Sequence, residues 1–407
     1  MMNEATAVLT INLDAVAANF ALLDKTTGHS ECAAVVKANG YGLGMAEIAR
    51  CLTSVGAKSF FVALPQEGAE LRSIAPNADI YVLHGLVPGQ ETMIQQHRLI
   101  PVLNSLDQIA CWSTFAQQPG GRKTGLPAAL HLDTGMTRLG LDGLELATLQ
   151  REPDRLSSLR IVHVMSHLSC ADDPDSALNG QQLEQFNQMR TMLPQTTDFA
   201  TPPSQAPTSM ANSSGIFLGR DFHNDMVRPG FALYGGNPTP NKPNPMAQVI
   251  VLKAKILQTR DVDSPMTVGY GAAHRVEEPG RIATIPAGYA DGIPWSIGAE
   301  SLKNQGRQGH QGHVVINGKL APIVGRVSMD LITVDISDFS KEEAHSGTEV
   351  ELIGDKLTVD DLAAHAATSP YEILTRLGMR YTRAYIQNKN SENTDRVITG
   401  VRGKVDV

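Results

Sequence analysis

Short apolar segments alternate with helical patterns across the first 235 residues, and this alternation restricts the fold more than any other feature of the chain. Eight strands that alternate with helices over about 250 residues are typical of a (β/α)8 barrel, also called a TIM barrel. A doubly wound open sheet is the alternative fold, but no G-x-G-x-x-G pattern follows the first strand. The predicted strands lie at 33–37, 59–64, 79–84, 99–103, 128–134, 161–166, 206–210 and 226–228.

A change of composition marks the end of the predicted barrel. Pro, Asn and Gly dominate 235–245 and cannot continue the interior of a helix or a sheet. We therefore predict an α/β protein with a barrel domain at 10–240 and a C-terminal, mainly β domain at 241–407, to which an N-terminal strand at 1–9 also belongs. The segment 305–313, rich in Gly, Gln and His, is expected to be a solvated insertion. The β segments of the second domain are predicted at 247–259, 281–287, 314–323, 331–336 and 349–353, with Asn317 and Gly318 as a hairpin turn within 314–323.

Charge and cysteine content limit the partners and the compartment. The net charge of -8 argues against a nucleic-acid partner, which requires a basic face. No apolar segment approaches the roughly 20 residues that span a bilayer, and the N-terminus shows no secretory signal. The four cysteines lack the C-x-x-C spacing of zinc sites, which favours reduced thiols. We expect a cytoplasmic protein without a membrane or nucleic-acid partner.

The segment 33–44 places one lysine, Lys37, where an apolar strand meets a glycine-rich turn. Functional sites of α/β folds lie at the carboxyl ends of parallel strands, so Lys37 is a candidate site residue. The alternative is a lysine that leaves the core at a strand end and holds its ammonium group in water. The remaining polar residues have to decide between the two interpretations.

Several polar side chains follow other predicted barrel strands. Arg138 lies in the loop after the fifth strand. A metal-dependent barrel hydrolase is one interpretation, because imidazoles and carboxylates are the usual ligands of catalytic zinc. Histidines on barrel strands are, however, often hydrogen-bonded core residues. The metal ligands would be His131, Asp133, His163 and His167.

The loops after the seventh and eighth strands favour an anionic cofactor instead. Asn212 and Ser213 follow the seventh strand and Gly230 follows the eighth, where barrels commonly bind phosphate. Pyridoxal phosphate needs both a phosphate site and a lysine, so it explains these loops together with Lys37 and requires no metal. Arg228 can reach its pyridine nitrogen. Because a guanidinium does not readily give up its proton, the ring would stay neutral and would disfavour transamination.

Six motifs in this order resemble alanine racemase, a pyridoxal-phosphate enzyme of fold type III with an N-terminal barrel and a C-terminal β domain. The resemblance extends from about Leu9 to Tyr385. It implies an isomerase that interconverts L-alanine and D-alanine by two-base proton transfer through a pyridoxal phosphate aldimine, and that supplies D-alanine for peptidoglycan. The motifs are 36–42 around Lys37, 133–140 around Arg138, 227–230 around Arg228, 268–271, 288–292 and 325–330.

The resemblance also implies roles for individual residues. Lys37 and Tyr270 would be the catalytic bases on opposite faces of the substrate, with Tyr270 contributed by the second subunit of a homodimer whose active sites lie at the interface. Arg138 and Met329 would bind the substrate alanine. The entrance residues would be Tyr289, Asp172 and Arg326. The cofactor would be bound by Lys37, Tyr41, Arg138, His167, Asn212, Ser213, Arg228, Gly230, Phe231 and Tyr371.

Three positions depart from the family pattern, and one of them, Trp295, stands where some members have an entrance-corridor arginine. Leu43 stands where the cofactor motif commonly has histidine, and His131 stands where many members carry a carbamylated lysine that steadies the arginine. A bound anion or a charged imidazole would then orient Arg138.

Related functions stay open at this point. A broad-specificity amino-acid racemase would share the catalytic residues and differ in pocket size. A pyridoxal-phosphate amino-acid decarboxylase of the same fold usually has a cysteine before an aspartate in the second domain, where this chain has Ser328, Met329 and Asp330. A non-catalytic cofactor-binding barrel protein would lack a second domain.

Overall fold

The first sheet is a closed parallel barrel. The computed structural model describes residues 5–118, 125–195, 199, 201–298, 311–387 and 398–399 of the chain. The strands Glu31–Cys32 and Ala34–Val35 flank Ala33 and act as one interrupted strand: the first half pairs with Met226–Val227 and the second with Ser59–Val62. The predicted TIM barrel is therefore confirmed. The remaining parallel strands are Asp79–Val82, Ile100–Leu103, Leu126–His131, Leu159–Met165 and Thr208–Ser209.

The predicted strand 33–37 extends too far at its carboxyl end. The segment 33–37 was expected to carry Lys37 within a strand, but the strand ends at Val35 and Lys37 begins a separate turn, Lys37–Tyr41. The strand ends there because the chain enters a left-handed conformation immediately after Lys37, at Ala38 and Asn39.

Helices cover the outside of the barrel. Local signals place them: the Asn12 side chain accepts a hydrogen bond from the Ala15 amide at 3.1 Å and begins the first helix. Within the described ranges, no helix has the length and apolar character needed to cross a membrane. The barrel helices are Leu13–Thr27, Met45–Ser54, Pro65–Ile74, Glu91–Gln96, Leu106–Ala116, Gly143–Arg151 and Ala177–Thr191.

The second sheet is mainly antiparallel. The N-terminal strand Ala7–Asn12 lies in it, antiparallel to Ile250–Lys255 and parallel to Thr382–Ile386. The predicted β segment 247–259 contains two strands, Ile250–Lys255 and Gln258–Val262, which lie apart in the sheet order. The other strands of this sheet are Gly280–Ile285, His313–Ile316, Lys319–Val324, Ile332–Asp335, Glu349–Ile353 and Ile398–Thr399.

Two α-helices and a small hairpin also belong to the described part of the β domain. The helices are Val359–Ala366 and Pro370–Arg376, and Thr267–Val268 pairs with His274–Arg275. Of the segment 305–313, residues 305–310 lie outside the described residues. Buried apolar side chains from the barrel and from the β sheet belong to one continuous core.

Candidate active site

The backbone at Lys37 adopts an uncommon conformation. Ala38, Asn39 and Tyr41 have φ angles of 54°, 55° and 53°, so the segment Lys37–Tyr41 turns with left-handed geometry. Each non-glycine residue in this region costs about 1–2 kcal/mol, and such turns persist only where neighbouring groups hold them. Backbone strain of this kind is concentrated at functional sites.

Glu67 holds the turn from the barrel side. Its Oε1 accepts a hydrogen bond from the Ala38 amide at 2.7 Å, and its Oε2 accepts from the Ala63 and Leu64 amides at 2.8 and 3.1 Å. Sequence reasoning misses this role. The only available signal is an acidic residue in the first helical turn after Pro65, which indicates a helix start and nothing about Lys37.

Lys37 lines a cavity of ≈ 1140 Å³ at the carboxyl ends of the barrel strands. Burial and the neighbouring Arg138 charge lower the pKa of Lys37 below its usual value of 10.5, whereas the Glu67 carboxylate raises it. The net lowering of the Lys37 pKa increases the fraction of neutral amine, which is the form that attacks a carbonyl or accepts a proton. The cavity is also lined by the other predicted cofactor residues and one predicted entrance residue: Tyr41, Arg138, His167, Asn212, Ser213, Arg228, Gly230, Phe231, Tyr371 and Asp172.

The loops after the last two barrel strands form one side of the cavity, which we call the hydroxyl-rich corner and define by Ser213, Gly230, Tyr41 and Tyr371. Ser213 Oγ accepts hydrogen bonds from the Gly230 and Ala232 amides at 3.0 and 3.1 Å, so its hydroxyl proton remains to be donated. Gly230 has no room for a side chain, because a Cβ there would lie 2.2 Å from the Tyr41 hydroxyl. Only glycine lets this hydroxyl approach the backbone.

Tyr371 completes the corner from the β domain. Its ring stacks on Phe231 with ring centroids 4.1 Å apart. Burial raises the pKa of Tyr371 to about 12 and also raises the pKa of Tyr41, so both phenols keep their protons at neutral pH. Hydroxyl donors around a glycine backbone are a suitable set for a phosphate group.

Arg228 is a buried cation at the cavity, with 4% of its surface exposed. Its Nη2 donates to the Ser166 carbonyl at 2.5 Å, and its Nη1 donates to Ser209 Oγ. Burial lowers the pKa of Arg228 to about 9, which still leaves it protonated at neutral pH. Its guanidinium lies 3.5 Å from His167 Nδ1. A fixed donor of this kind suits the ring nitrogen of pyridoxal phosphate, and the cavity residues therefore fit this cofactor.

His131 is a neutral histidine with a defined tautomer. Its Nδ1 lies 2.8 Å from Asn104 Oδ1, and the Asn104 amide nitrogen already donates to the carbonyls of Leu83 and Val102. Oδ1 is thus the acceptor, which assigns the proton to Nδ1. Burial and the Arg228 charge lower the pKa of His131 to about 4. A charged imidazole therefore does not orient Arg138.

The other predicted metal ligands are engaged in separate contacts. His163 Nε2 lies 2.6 Å from Ser209 Oγ. Asp133 Oδ1 accepts hydrogen bonds from the Gly135 and Thr137 amides, both at 3.0 Å. Within the described part of the chain, no group of three or more His, Cys, Asp or Glu side chains could hold a metal ion. The metal-hydrolase interpretation has no geometric support here.

Four predicted residues do not join the Lys37 cavity of their own chain. Contacts between their segments group them on the β domain in what we call the exposed tyrosine face, which we define by Tyr270, Tyr289, Arg326 and Met329. Tyr270 is 72% exposed, Met329 53% and Tyr289 47%. Such exposure is unusual for aromatic and apolar side chains that cluster on one surface.

Hydrogen bonds hold the exposed tyrosine face together. The Tyr289 amide donates to the Ser328 carbonyl at 3.1 Å, and the Ala290 amide donates to the Met329 carbonyl at 3.0 Å. The Arg326 guanidinium lies beneath the Tyr270 turn, since a Cβ on Gly271 would be 3.2 Å from its Nη1. These contacts fix the residues of the exposed tyrosine face relative to one another, although the residues come from distant segments of the β domain.

Fold and cavity together define a class of protein: a (β/α)8 barrel enzyme with a C-terminal β domain and a lysine-lined cavity whose residues fit pyridoxal phosphate. Comparison with known families narrows this class. The alanine racemase N-terminal domain matches residues 11–238, and the alanine racemase C-terminal domain matches residues 249–385. The chain belongs to the alanine racemase family.

Individual relatives agree with this assignment. The alanine racemase of Rhodospirillum rubrum is 45% identical over 385 residues, which cover 94% of this chain and 96% of the relative. The catabolic alanine racemase of Mesorhizobium japonicum is 44% identical over 383 residues, covering 94% of both chains.

A solved structure agrees in fold. The alanine racemase of Bartonella henselae, which has covalently bound pyridoxal phosphate, superimposes with a TM-score of 0.85 at 39% identity. The superposition covers 94% of this chain and 100% of the Bartonella chain.

Proposed function

We propose that this protein is an alanine racemase that holds pyridoxal phosphate at Lys37 and interconverts L-alanine and D-alanine. The observation that carries the proposal is the cavity in which Lys37, Arg138 and Arg228 meet the hydroxyl-rich corner, in a chain that belongs to the alanine racemase family. When bound, the cofactor supplies an electron sink for the negative charge that develops at Cα. The residues of this chain bind and orient the cofactor and the substrate, and they move the protons.

The cavity residues divide the binding of cofactor and substrate between them. The hydroxyls of Ser213, Tyr41 and Tyr371 hold the phosphate group, with the backbone of Gly230 and with Phe231 and Asn212 around it. Arg228 donates to the ring nitrogen, and His167 lies beside it and orients the ring. Arg138 binds the substrate carboxylate, since guanidinium and carboxylate form paired, charge-assisted hydrogen bonds.

Inversion at Cα requires a proton to leave from one face and another to arrive at the opposite face. Lys37 is the base on one face. Tyr270 is the base on the other, and because it does not line the cavity of its own chain, we infer that the partner copy in a homodimer supplies it. The active site then lies at the subunit interface, which accounts for the exposed tyrosine face.

We infer that Met329, like Tyr270, acts in the active site of the partner copy. Its carbonyl accepts from the Ala290 amide, while its own amide donates no hydrogen bond to any described residue. That amide is available for the substrate carboxylate in the partner's site. Tyr289 and Arg326 of the same face would line the entrance, opposite Asp172 of the cavity.

Three further statements complete the proposal. We place the barrel at 10–240 and the β domain at 241–407 with the strand at 1–9, supported by the family matches to 11–238 and 249–385. The protein acts in the cytoplasm. Its product, D-alanine, supplies peptidoglycan.

A panel of L-amino acids tests the proposed activity. The holoprotein is incubated with each amino acid, and both the optical rotation and the release of CO2 are followed. We expect racemisation of alanine without CO2. Release of CO2 would identify the decarboxylase, and equal rates on larger amino acids would identify a broad-specificity racemase. Borohydride reduction should fix the cofactor on Lys37, and a protein that takes up no pyridoxal phosphate would contradict the proposal.

A further inference from the structure

The turn that carries Lys37 is held from a second side, by the β domain. Residues Gly42, Leu43 and Gly44 lead out of the left-handed turn towards the helix Met45–Ser54. Their carbonyl groups do not all find partners in the turn itself. Two of them accept hydrogen bonds from the strand Thr382–Ile386, which is distant in sequence.

Arg383 provides the first of these contacts. Its guanidinium is buried, with Nη1 donating to the Gly42 carbonyl at 2.6 Å. Nη2 donates to the carbonyls of Leu377 and Gly378 at 3.2 and 3.4 Å. Burying a cation is unfavourable unless its protons are accepted, so these carbonyls and the guanidinium fix one another.

Tyr385 provides the second contact. Its hydroxyl donates to the Leu43 carbonyl at 2.8 Å, and the side chain is buried. A Cβ on Gly44 would lie 2.1 Å from this hydroxyl, so the tyrosine approaches the backbone as closely as glycine allows. The segment after Lys37 is thus fixed at two consecutive carbonyls.

These contacts join two parts of the cofactor site that come from different sheets. Leu377 and Gly378 follow the helix Pro370–Arg376, which carries Tyr371. Arg383 therefore connects the end of that helix to the turn that carries Lys37. Packing alone would require only an apolar side chain at this position, whereas a buried guanidinium specifies where three carbonyls lie.

We propose that Arg383 and Tyr385 are positioning residues for Lys37: by holding the carbonyls of Gly42 and Leu43 they keep the left-handed turn, and with it the lysine amine, in place at the cavity. The inference rests on the proposed function, because it assigns the two residues to the cofactor lysine. Neither side chain touches the cavity, so both act through the turn.

The matched control is Arg72. Its guanidinium also donates only to backbone carbonyls, including those of His97 and Ala78, but it lies away from the Lys37 cavity. Arg383→Gln and Arg72→Gln should both lower the melting temperature. Only Arg383→Gln should raise the dissociation constant of pyridoxal phosphate, by roughly tenfold for the loss of a charge-assisted hydrogen bond that holds a strained turn.

Tyr385→Phe tests the same inference with less disturbance, since it removes one hydroxyl and keeps the ring. It should also weaken cofactor binding and shift the pH at which the visible absorption of the Lys37-bound cofactor titrates, and Arg383→Lys should restore part of the Arg383→Gln loss. If Arg383→Gln does not fold, Tyr385→Phe decides alone.

The inference is overturned if Tyr385→Phe, and Arg383→Gln where it folds, match Arg72→Gln in cofactor affinity and absorption titration while the wild-type protein binds cofactor normally. A wild-type protein without cofactor would instead refute the proposed function.

Discussion

At the scale of single residues, the pKa of Lys37 is set by burial and by two charged neighbours with opposing effects. Burial and Arg138 lower its pKa, and Glu67 raises it. Glu67 therefore has two roles that the sequence does not separate: it fixes the turn through the Ala38 amide, and it moderates the loss of charge on the lysine.

Glu67→Gln tests the electrostatic role. Its amide oxygen can still accept from the Ala38 amide, whereas its NH2 group cannot accept from the Ala63 and Leu64 amides as Oε2 does. The negative charge is lost, so the pKa of Lys37 should fall further. Reconstitution of the apoprotein with pyridoxal phosphate requires the neutral amine. Its rate should therefore reach half its maximum at a lower pH than in the wild-type protein. Glu70→Gln, an exposed change on the same helix, is the control, and an unchanged midpoint in Glu67→Gln would refute the electrostatic role.

At the scale of elements, the decisive feature is the left-handed turn between the first barrel strand and the helix Met45–Ser54. Gly42 lies where the turn meets the β domain, with a φ of 83°. A Cβ there would lie 2.5 Å from the Leu374 carbonyl oxygen. The turn and the helix Pro370–Arg376 approach each other as closely as their backbones permit.

Gly42→Ala should therefore be more destabilising than its backbone conformation alone explains. Gly28→Ala is the matched control, since Gly28 has a φ of 71° and nothing within 4 Å of an added Cβ. We expect the control to lower the free energy of unfolding by about 1–2 kcal/mol, the cost of the left-handed conformation. Gly42→Ala should lose at least about 1 kcal/mol more through the overlap, and should bind the cofactor more weakly. Equal losses in both variants, measured by chemical denaturation, would contradict the close approach.

Local patterns predict these elements well and long-range contacts poorly. The hairpin at Asn317 and Gly318 is confirmed, because its turn residues adopt the positive φ angles that such a turn needs. The role of Arg383 has no such signal. It depends on the packing of a strand near residue 385 against a turn near residue 40, and no spacing in the sequence encodes that contact.

In the active site too, local motifs predict some features, whereas others depend on contacts that are distant in sequence. Motifs around Lys37, Arg138 and Arg228 identify residues that line the cavity, since each follows a barrel strand. The tautomer and charge of His131 could not be predicted, because they depend on Asn104, which lies on a neighbouring strand end, and on burial.

At the scale of the whole molecule, buried histidines connect stability to pH. Burial and Arg228 lower the pKa of His131 to about 4 and that of His163 to about 3, from an ordinary value of 6.5. Below pH 6.5 the unfolded chain therefore takes up protons that the folded chain cannot. The free energy of unfolding should fall as the pH decreases, by about 2 kcal/mol per histidine at pH 5.

His163→Gln should flatten this dependence, since it removes one of the histidines whose pKa is lowered by burial and keeps a hydrogen-bonding side chain near Ser209. The melting temperature between about pH 7.5 and about pH 5 is the measurement. His29→Gln, at an exposed position, should leave the slope unchanged. A slope in His163→Gln as steep as in the wild-type protein would show that this histidine does not control acid stability.

The central claim is that one active site takes Lys37 from one chain and Tyr270 from another. Lys37→Ala and Tyr270→Phe should each abolish most alanine racemisation as pure proteins. When the two variants are unfolded together and refolded as a mixture, the mixed dimers regain one intact site each, so activity should return to about a quarter of the wild-type value. A mixture that stays as inactive as its components would contradict the shared site and place both bases in a single chain.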